Sequence, residues 1–244
     1  MRIAASAFWL QKAGNQPTEY EDAFASMFYK DDADALLAFR CAVADGATET
    51  SFSGLWAYVL ALAYAEQRLT HIDAASIAPL TAEWQQQLAN FRQEKPLPWY
   101  AEEKLSHGAY ATLLGLHLAV DGTWQATSVG DSNLFQVRDE TIIAATPYTR
   151  ADQFNNHPTL LSTDMPSNAA VDPQHAAGTW QVGDYFFLMT DALAQTFLKQ
   201  DLVRRFKRLR KQRRFESLVE KLRADQWCKN DDVTLIRIRL ISQE

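Results

Sequence analysis

Two periodicities alternate along this chain, and the switches between them mark its elements. The opening MRIAASAFWL predicts a first strand, because its apolar stretch is short and Gln11, Lys12 and Gly14 follow at once, unlike a cleaved leader. After the loop KAGNQPTEYEDAF, the apolar run LLAFRCAVA has the length of a buried strand and delivers Asp45. Leu55, Val59, Leu62 and Leu69 then recur at helical spacing, with Ser51 or Ser53 available as the cap. A second helix is predicted over Thr81 to about Glu94, ended by Pro96 and Pro98, and a short third over Trp99 to Leu105.

The pattern next changes to strands. Tyr110 to Val120, Trp124 to Val129 and Asn133 to Val137 read as an antiparallel meander, with Asp121-Gly122 as its first turn. Thr146 to His175 carries Pro147, Pro158, Pro166 and Pro173 with little periodicity, which predicts a long loop or lid. QVGDYFFLMT resumes the strand pattern and delivers Asp191. A helical stretch runs from about Leu193 towards Arg223 with one break, and VTLIRIRLI is the last strand. Two groups of helices between runs of strands predict a layered α+β domain rather than a parallel βαβ sheet.

At 244 residues with 47% hydrophobic content, 13 Phe and 7 Trp, the chain can bury a substantial core, which excludes a disordered protein. A net charge of -6 provides no general attraction to nucleic acid or anionic membranes. No segment is long enough to span a bilayer, and a cytoplasmic location is expected. Cys41 and Cys228 follow no metal-ligand spacing and imply no disulfide framework. His71, His107, His117, His157 and His175 show no ligand spacing either, although His157 lies where a loop could face substrate.

Four carboxylates sit at the edges of the apolar runs: Asp45 after AFRCAVA, Asp131 in the turn of TSVGDSNLFQV, Asp191 after YFFLMT and Asp231 before VTLIRIRL. Strand ends in a compact domain can gather in one place, so these acids point to a site for a hard divalent cation. Taken singly, Asp45-Gly46 and Asp131-Ser132 suit turns, and Asp191 suits a helix N-cap. Only their convergence would make a site.

Six short motifs occur in order along the chain: Glu21-Asp22-Ala23, Val43-Ala44-Asp45-Gly46, Gly108-Ala109-Tyr110-Ala111-Thr112, Gly130-Asp131-Ser132, Thr190-Asp191-Ala192 and Asp231-Asp232-Val233-Thr234. Together they resemble the metal-dependent type 2C serine/threonine protein phosphatases. The resemblance implies a four-layer αββα sandwich of two antiparallel sheets flanked by helices, as a single domain over residues 1–244, with two and possibly three Mn2+ or Mg2+ ions at one end. It implies that Asp45 bridges two ions, that Asp191 and Asp231 complete the first, and that Glu21 and the Gly46 carbonyl hold the second. Asp22 would orient waters, and Asp131 would serve a third, weaker position. The implied reaction is hydrolysis of phosphoserine or phosphothreonine in a protein substrate by a metal-bridging hydroxide. A cognate serine/threonine kinase would supply that substrate, and the protein would act as a monomer.

The chain departs from the family pattern in three places. Pro17 stands where many members have a phosphate-gripping Arg, which leaves Lys12 as a substitute. Asp45-Gly46-Ala47-Thr48-Glu49 lacks both later glycines of the family's Asp-Gly-x-Gly-Gly, Ala47 stands where some members have a His general acid, and Asp232 replaces an Asn. These changes make a weakly active or inactive phosphoprotein-binding module the alternative reading. A third reading comes from RRFKRLRKQRR, Arg204 to Arg214, which could bind nucleic acid or an acidic partner. No aromatic platform accompanies those charges, and a solvated helix face with Phe206, Leu209 and Phe215 turned inward is the simpler expectation.

Overall fold

The computed structural model describes residues 2–48, 50, 52–94, 108–155 and 157–242. Its strands are β1 (Arg2–Leu10), β2 (Ala23–Lys30), β3 (Leu36–Ala44), β4 (Tyr110–Ala111), β5 (Leu113–Ala119), β6 (Thr123–Val129), β7 (Asn133–Arg138), β8 (Thr141–Thr146), β9 (Leu161–Ser162), β10 (Gln174–Thr179), β11 (Tyr185–Met189) and β12 (Val233–Ile241). Its helices are α1 (Ser53–Ala65), α2 (Ala74–Glu94), α3 (Asp191–Lys199), α4 (Val203–Lys207) and α5 (Gln212–Ala224). Two five-stranded sheets run β1-β12-β11-β7-β8 and β10-β6-β5-β3-β2, every pair antiparallel.

Side-chain alternation along the strands builds three apolar layers, hence four layers of secondary structure. On β11, Phe186 and Leu188 point into the space between the sheets with Phe39, Cys41, Val43, Leu114, Leu116 and Ile236. Tyr185, Phe187 and Met189, one residue out of phase, point the other way into a layer with Phe197, Phe206, Phe215 and Val219 of α3, α4 and α5. Across the molecule, Ala42, Ala44 and Leu113 face Trp56, Leu60, Tyr64 and Trp84 of α1 and α2. The architecture is the αββα sandwich. Among the described residues no helix is long and apolar enough to cross a membrane.

Several expectations change. Gly130-Asp131-Ser132 does not close a hairpin of a meander: β6 and β7 pair in different sheets, so the turn carries the chain from one sheet to the other. A Cβ at Gly130, whose φ is +97°, would come within 2.6 Å of Thr112 Cγ2, so this crossing needs glycine. The loop after β1 ends at Ala23, where β2 begins, and β8 and β10 are further strands outside the reading above. α2 starts at Ala74 rather than Thr81, because Asp73 accepts the Ser76 N–H at 2.8 Å and Pro79 is accommodated inside the helix. The long helical stretch is three helices with two breaks. Ser53 lies inside α1 and makes no cap, whereas Ser51 and the helix predicted over Trp99 to Leu105 lie outside the described residues. Residues 146–175 hold two short 3-10 turns, Ala151–Gln153 and Met165–Ala170, with β9 between them. Phe206, Leu209 and Phe215 are buried, as the basic stretch implied.

Candidate metal centre

The pairing registers explain how acids far apart in sequence meet. β11 ends at Met189 opposite Leu235 near the start of β12, and opposite Asn133 at the start of β7. In the second sheet Val43, near the end of β3, faces Leu114, and Leu113 faces Val129 at the end of β6. Asp45, Asp131, Asp191 and Asp231 therefore emerge from one edge of the sandwich. They line a single cleft of about 500 Å³ together with Gly46, Thr48, Thr112, Asn155, His157, Leu160 and Lys229.

Each acid is held by its own local structure. Asp45 N–H donates to Thr112 Oγ1 at 3.0 Å, Thr112 N–H donates to the Asp45 carbonyl at 2.8 Å, and the Thr112 hydroxyl meets Ser132 Oγ at 3.0 Å. Thr112 thus ties the Asp45 strand end to the Asp131 turn. Gly46 is required by close packing of the backbone. A Cβ there would lie 2.7 Å from the Glu21 carbonyl and 2.9 Å from Gly54 N, so three chain segments cross at this point.

Asp22 is buried among hydroxyls: Thr190 and Thr234 donate to its Oδ2 at 3.0 and 2.6 Å, Tyr20 bonds to Thr234, and Oδ1 has no partner. Glu21 faces an adjoining cleft that shares Thr48 as a wall, and its Oε1 accepts from Ser53 Oγ at 2.8 Å. Asp232, absent from the sequence-derived site, braces the early loop: its two oxygens accept Lys12 N–H and Glu21 N–H, each at 2.7 Å. An Asn could serve only one of those donors through its oxygen.

The electrostatics are those of concentrated negative charge. Burial, followed by repulsion from Asp22, Asp191, Asp131 and Asp231, holds the Asp45 carboxyl well above its ordinary range. Burial and then Asp191 push Asp131 up to about 7, and burial and then Asp231 raise Asp191. Burial likewise raises Asp22 and Glu21. Lys229 works the other way on Asp131 and Asp191, and Lys12 Nζ lies 3.9 Å from Asp231 Oδ1. Sequence reasoning missed Lys229, an isolated basic residue with no motif of its own.

Among the described residues, no three of these side chains already form a closed ligand cage. The four aspartates nevertheless fit hard divalent ions: they offer carboxylate oxygens in excess in one cleft, and the nearby buried Asp22 Oδ1 is unpartnered. Both cysteines are buried with their thiols raised by burial, so neither is poised as a nucleophile.

This fold and this acidic cleft are those of a metal-dependent phosphoprotein phosphatase. A family model described as protein phosphatase 2C matches residues 15–225, and the chain belongs to that family. Among solved structures it is similar to the photosystem II phosphatase PBCP, with 15% identity, 99% of this chain and 100% of that one covered, and a TM-score of 0.64. A bacterial serine phosphatase matches with 15% identity over 100% of both chains and a TM-score of 0.63. The catalytic domain of the serine/threonine protein phosphatase PstP, in complex with two manganese ions, matches with 15% identity over 98% of this chain and 99% of that one, at a TM-score of 0.56. No curated protein matches the sequence.

Proposed function

We propose that this chain hydrolyses phosphoserine and phosphothreonine in proteins, using Mn2+ or Mg2+ held by Asp45, the Gly46 carbonyl, Asp191, Asp231 and Glu21, with Asp131 at a further position. The observation that carries the reading is the delivery of four aspartates, from both sheets, to one cleft. Manganese in PstP and magnesium in RsbX, two proteins of similar fold, support the choice of ion. Bound there, divalent ions supply Lewis acidity to water and to phosphoryl oxygens.

The protein's own residues do the rest. Thr112 and Ser132 fix the Asp45 backbone, so the ligand needs no reorganisation. Asp22, held by Thr190 and Thr234, presents an unsatisfied oxygen that can orient water. With Pro17 in the place of the family's Arg, Lys229 is the cleft cation suited to the substrate phosphoryl group. Asn155, His157, Pro158 and Leu160 form the wall contributed by the 146–175 segment, which acts as a lid over residues flanking the phosphate. Assays on p-nitrophenyl phosphate and a phosphothreonine peptide, with MnCl2 against EDTA, test this. Metal-dependent turnover that disappears in Asp45→Asn is expected, whereas metal-independent or absent turnover would sink the proposal.

A further inference from the structure

The basic stretch is only partly accounted for by a solvated helix face. Three cations, from α4 and β12, gather around one buried ring at the end of the first sheet remote from the acidic cleft. Lys207 Nζ stands 5.0 Å from the Tyr185 ring centroid, Arg239 Cζ 5.8 Å and Arg237 Cζ 5.9 Å. Arg210 joins them: its Nη1 donates to the Lys207 carbonyl at 2.7 Å, the same oxygen that accepts from Arg237 Nη1 at 2.9 Å. Among the described residues none of the four forms an ion pair with a carboxylate, whereas Arg138 and Arg204 nearby are paired with Asp184 and Glu140.

Arg237 makes the arrangement unusual. It is 4% exposed, and its Nε has no hydrogen-bond partner. A buried guanidinium ordinarily has a carboxylate or other anion against it, since its charge is costly to remove from water. Here the neighbouring charges are Arg210 and Arg239, of the same sign. Carbonyls at the end of α4 attract cations and account for Arg210 and Arg237 meeting at Lys207. They do not account for Arg239 and the Lys207 ammonium collecting on the same ring.

We propose that Lys207, Arg210, Arg237 and Arg239 form, around Tyr185, a binding site for a phosphate-type dianion, separate from the metal cleft. The planar guanidinium fork suits such an oxyanion bidentately, and the Lys207 ammonium adds a point charge. Tyr185 is 6% exposed under its cations, so it offers no face on which a nucleic-acid base could stack. Tyr185 and Met189 are opposite ends of β11, about 13 Å apart at four residues of strand rise, which places this site away from the acids. The dianion is either free phosphate or the phosphoryl group of a modified protein side chain.

The test uses the full chain in EDTA, so that phosphate cannot be recruited by divalent ions in the cleft. Thermal melts are followed against sodium phosphate and against sodium chloride of equal ionic strength, with affinities from calorimetry. Phosphate should raise the melting temperature beyond chloride. In Lys207→Gln/Arg239→Gln, both on the solvent side of the cluster, its affinity should fall at least about tenfold, measured against that variant's own baseline. Lys229→Gln, in the acidic cleft, should leave the response intact. Metal-dependent turnover of p-nitrophenyl phosphate should persist in the double variant, separating this site from the proposed reaction. A phosphoserine peptide run beside inorganic phosphate identifies the source, since whichever binds more tightly is the ligand class the site selects. Phosphate acting no better than chloride, or a response lost with Lys229 and kept without Lys207 and Arg239, overturns the proposal.

Discussion

Asp45 and Asp191 are held in surroundings that oppose their own charge, since burial and neighbouring carboxylates raise both. Residues kept at such a cost to stability are candidates for function. Asp191→Asn or Asp231→Asn should therefore lower manganese-dependent turnover at least about a hundredfold. In EDTA the melting temperature of Asp191→Asn should stay level or rise, because a repulsive charge has gone. Retained activity would show these acids to be structural. Asp232 should behave in the opposite way, as a brace. Asp232→Ala strands two backbone N–H groups, of Lys12 and Glu21, and should cost about 1–3 kcal/mol in denaturant unfolding. Lys229→Met separates binding from ligation: KM for a phosphopeptide should rise several-fold while calorimetric manganese affinity holds or tightens. A weakened manganese affinity would mean that Lys229 supports the ligands rather than the substrate.

At the scale of elements, the lid shows how far an insertion or deletion can be pressed. Leu161 is fully buried, its carbonyl accepts Trp56 Nε1 at 2.9 Å, and β9 pairs with β4. Removing the segment as far as Pro166 would therefore unseat the second sheet's helix layer as well as the cleft wall. The informative change is narrower. Asn155→Ala with His157→Ala should raise KM for a phosphothreonine peptide and leave p-nitrophenyl phosphate turnover nearly unchanged, because the small substrate needs no flanking contacts. Equal loss on both substrates would place these residues in the catalytic centre. The same scale explains what was legible beforehand. β1, β3, β11 and β12 stand out as apolar runs; Asp45, Asp191 and Asp231 sit beside the ends of the last three, and Asp131 lies in the turn between β6 and β7. β2, β8 and β10 went unread, and each is an edge strand with one long side in solvent and no strong alternation. Asp22 and Thr112 carried no hint of their hydrogen bonds: those of Asp22 depend on the ends of β11 and β12 meeting the loop before β2, and those of Thr112 on the end of β3 and the β6–β7 turn.

At the scale of the whole molecule, one end of the sandwich gathers carboxylates that the rest of the fold must hold together without ions. Asp131 carries the clearest consequence, its carboxyl being raised to about 7 in the native state against about 3.9 when unfolded. Between those values the native state keeps a proton that the unfolded chain has lost, so the free energy of unfolding falls as pH rises and levels off above about 7. Asp184, lowered chiefly by its bonds to Arg138 and neighbouring donors against its burial, acts only at more acidic pH. His117, lowered by burial, contributes the opposite slope below about pH 6.5. Comparison with Asp131→Asn isolates the aspartate. In EDTA the wild-type melting temperature should decline more steeply than that of Asp131→Asn from about pH 5 to about pH 8, as followed by circular dichroism. Manganese added at the upper end should restore much of the wild-type loss, because the ions replace the protons that held these carboxylates together. Parallel pH profiles for the two proteins in EDTA would show that Asp131 ionises freely and that the fold bears no charge strain at this turn.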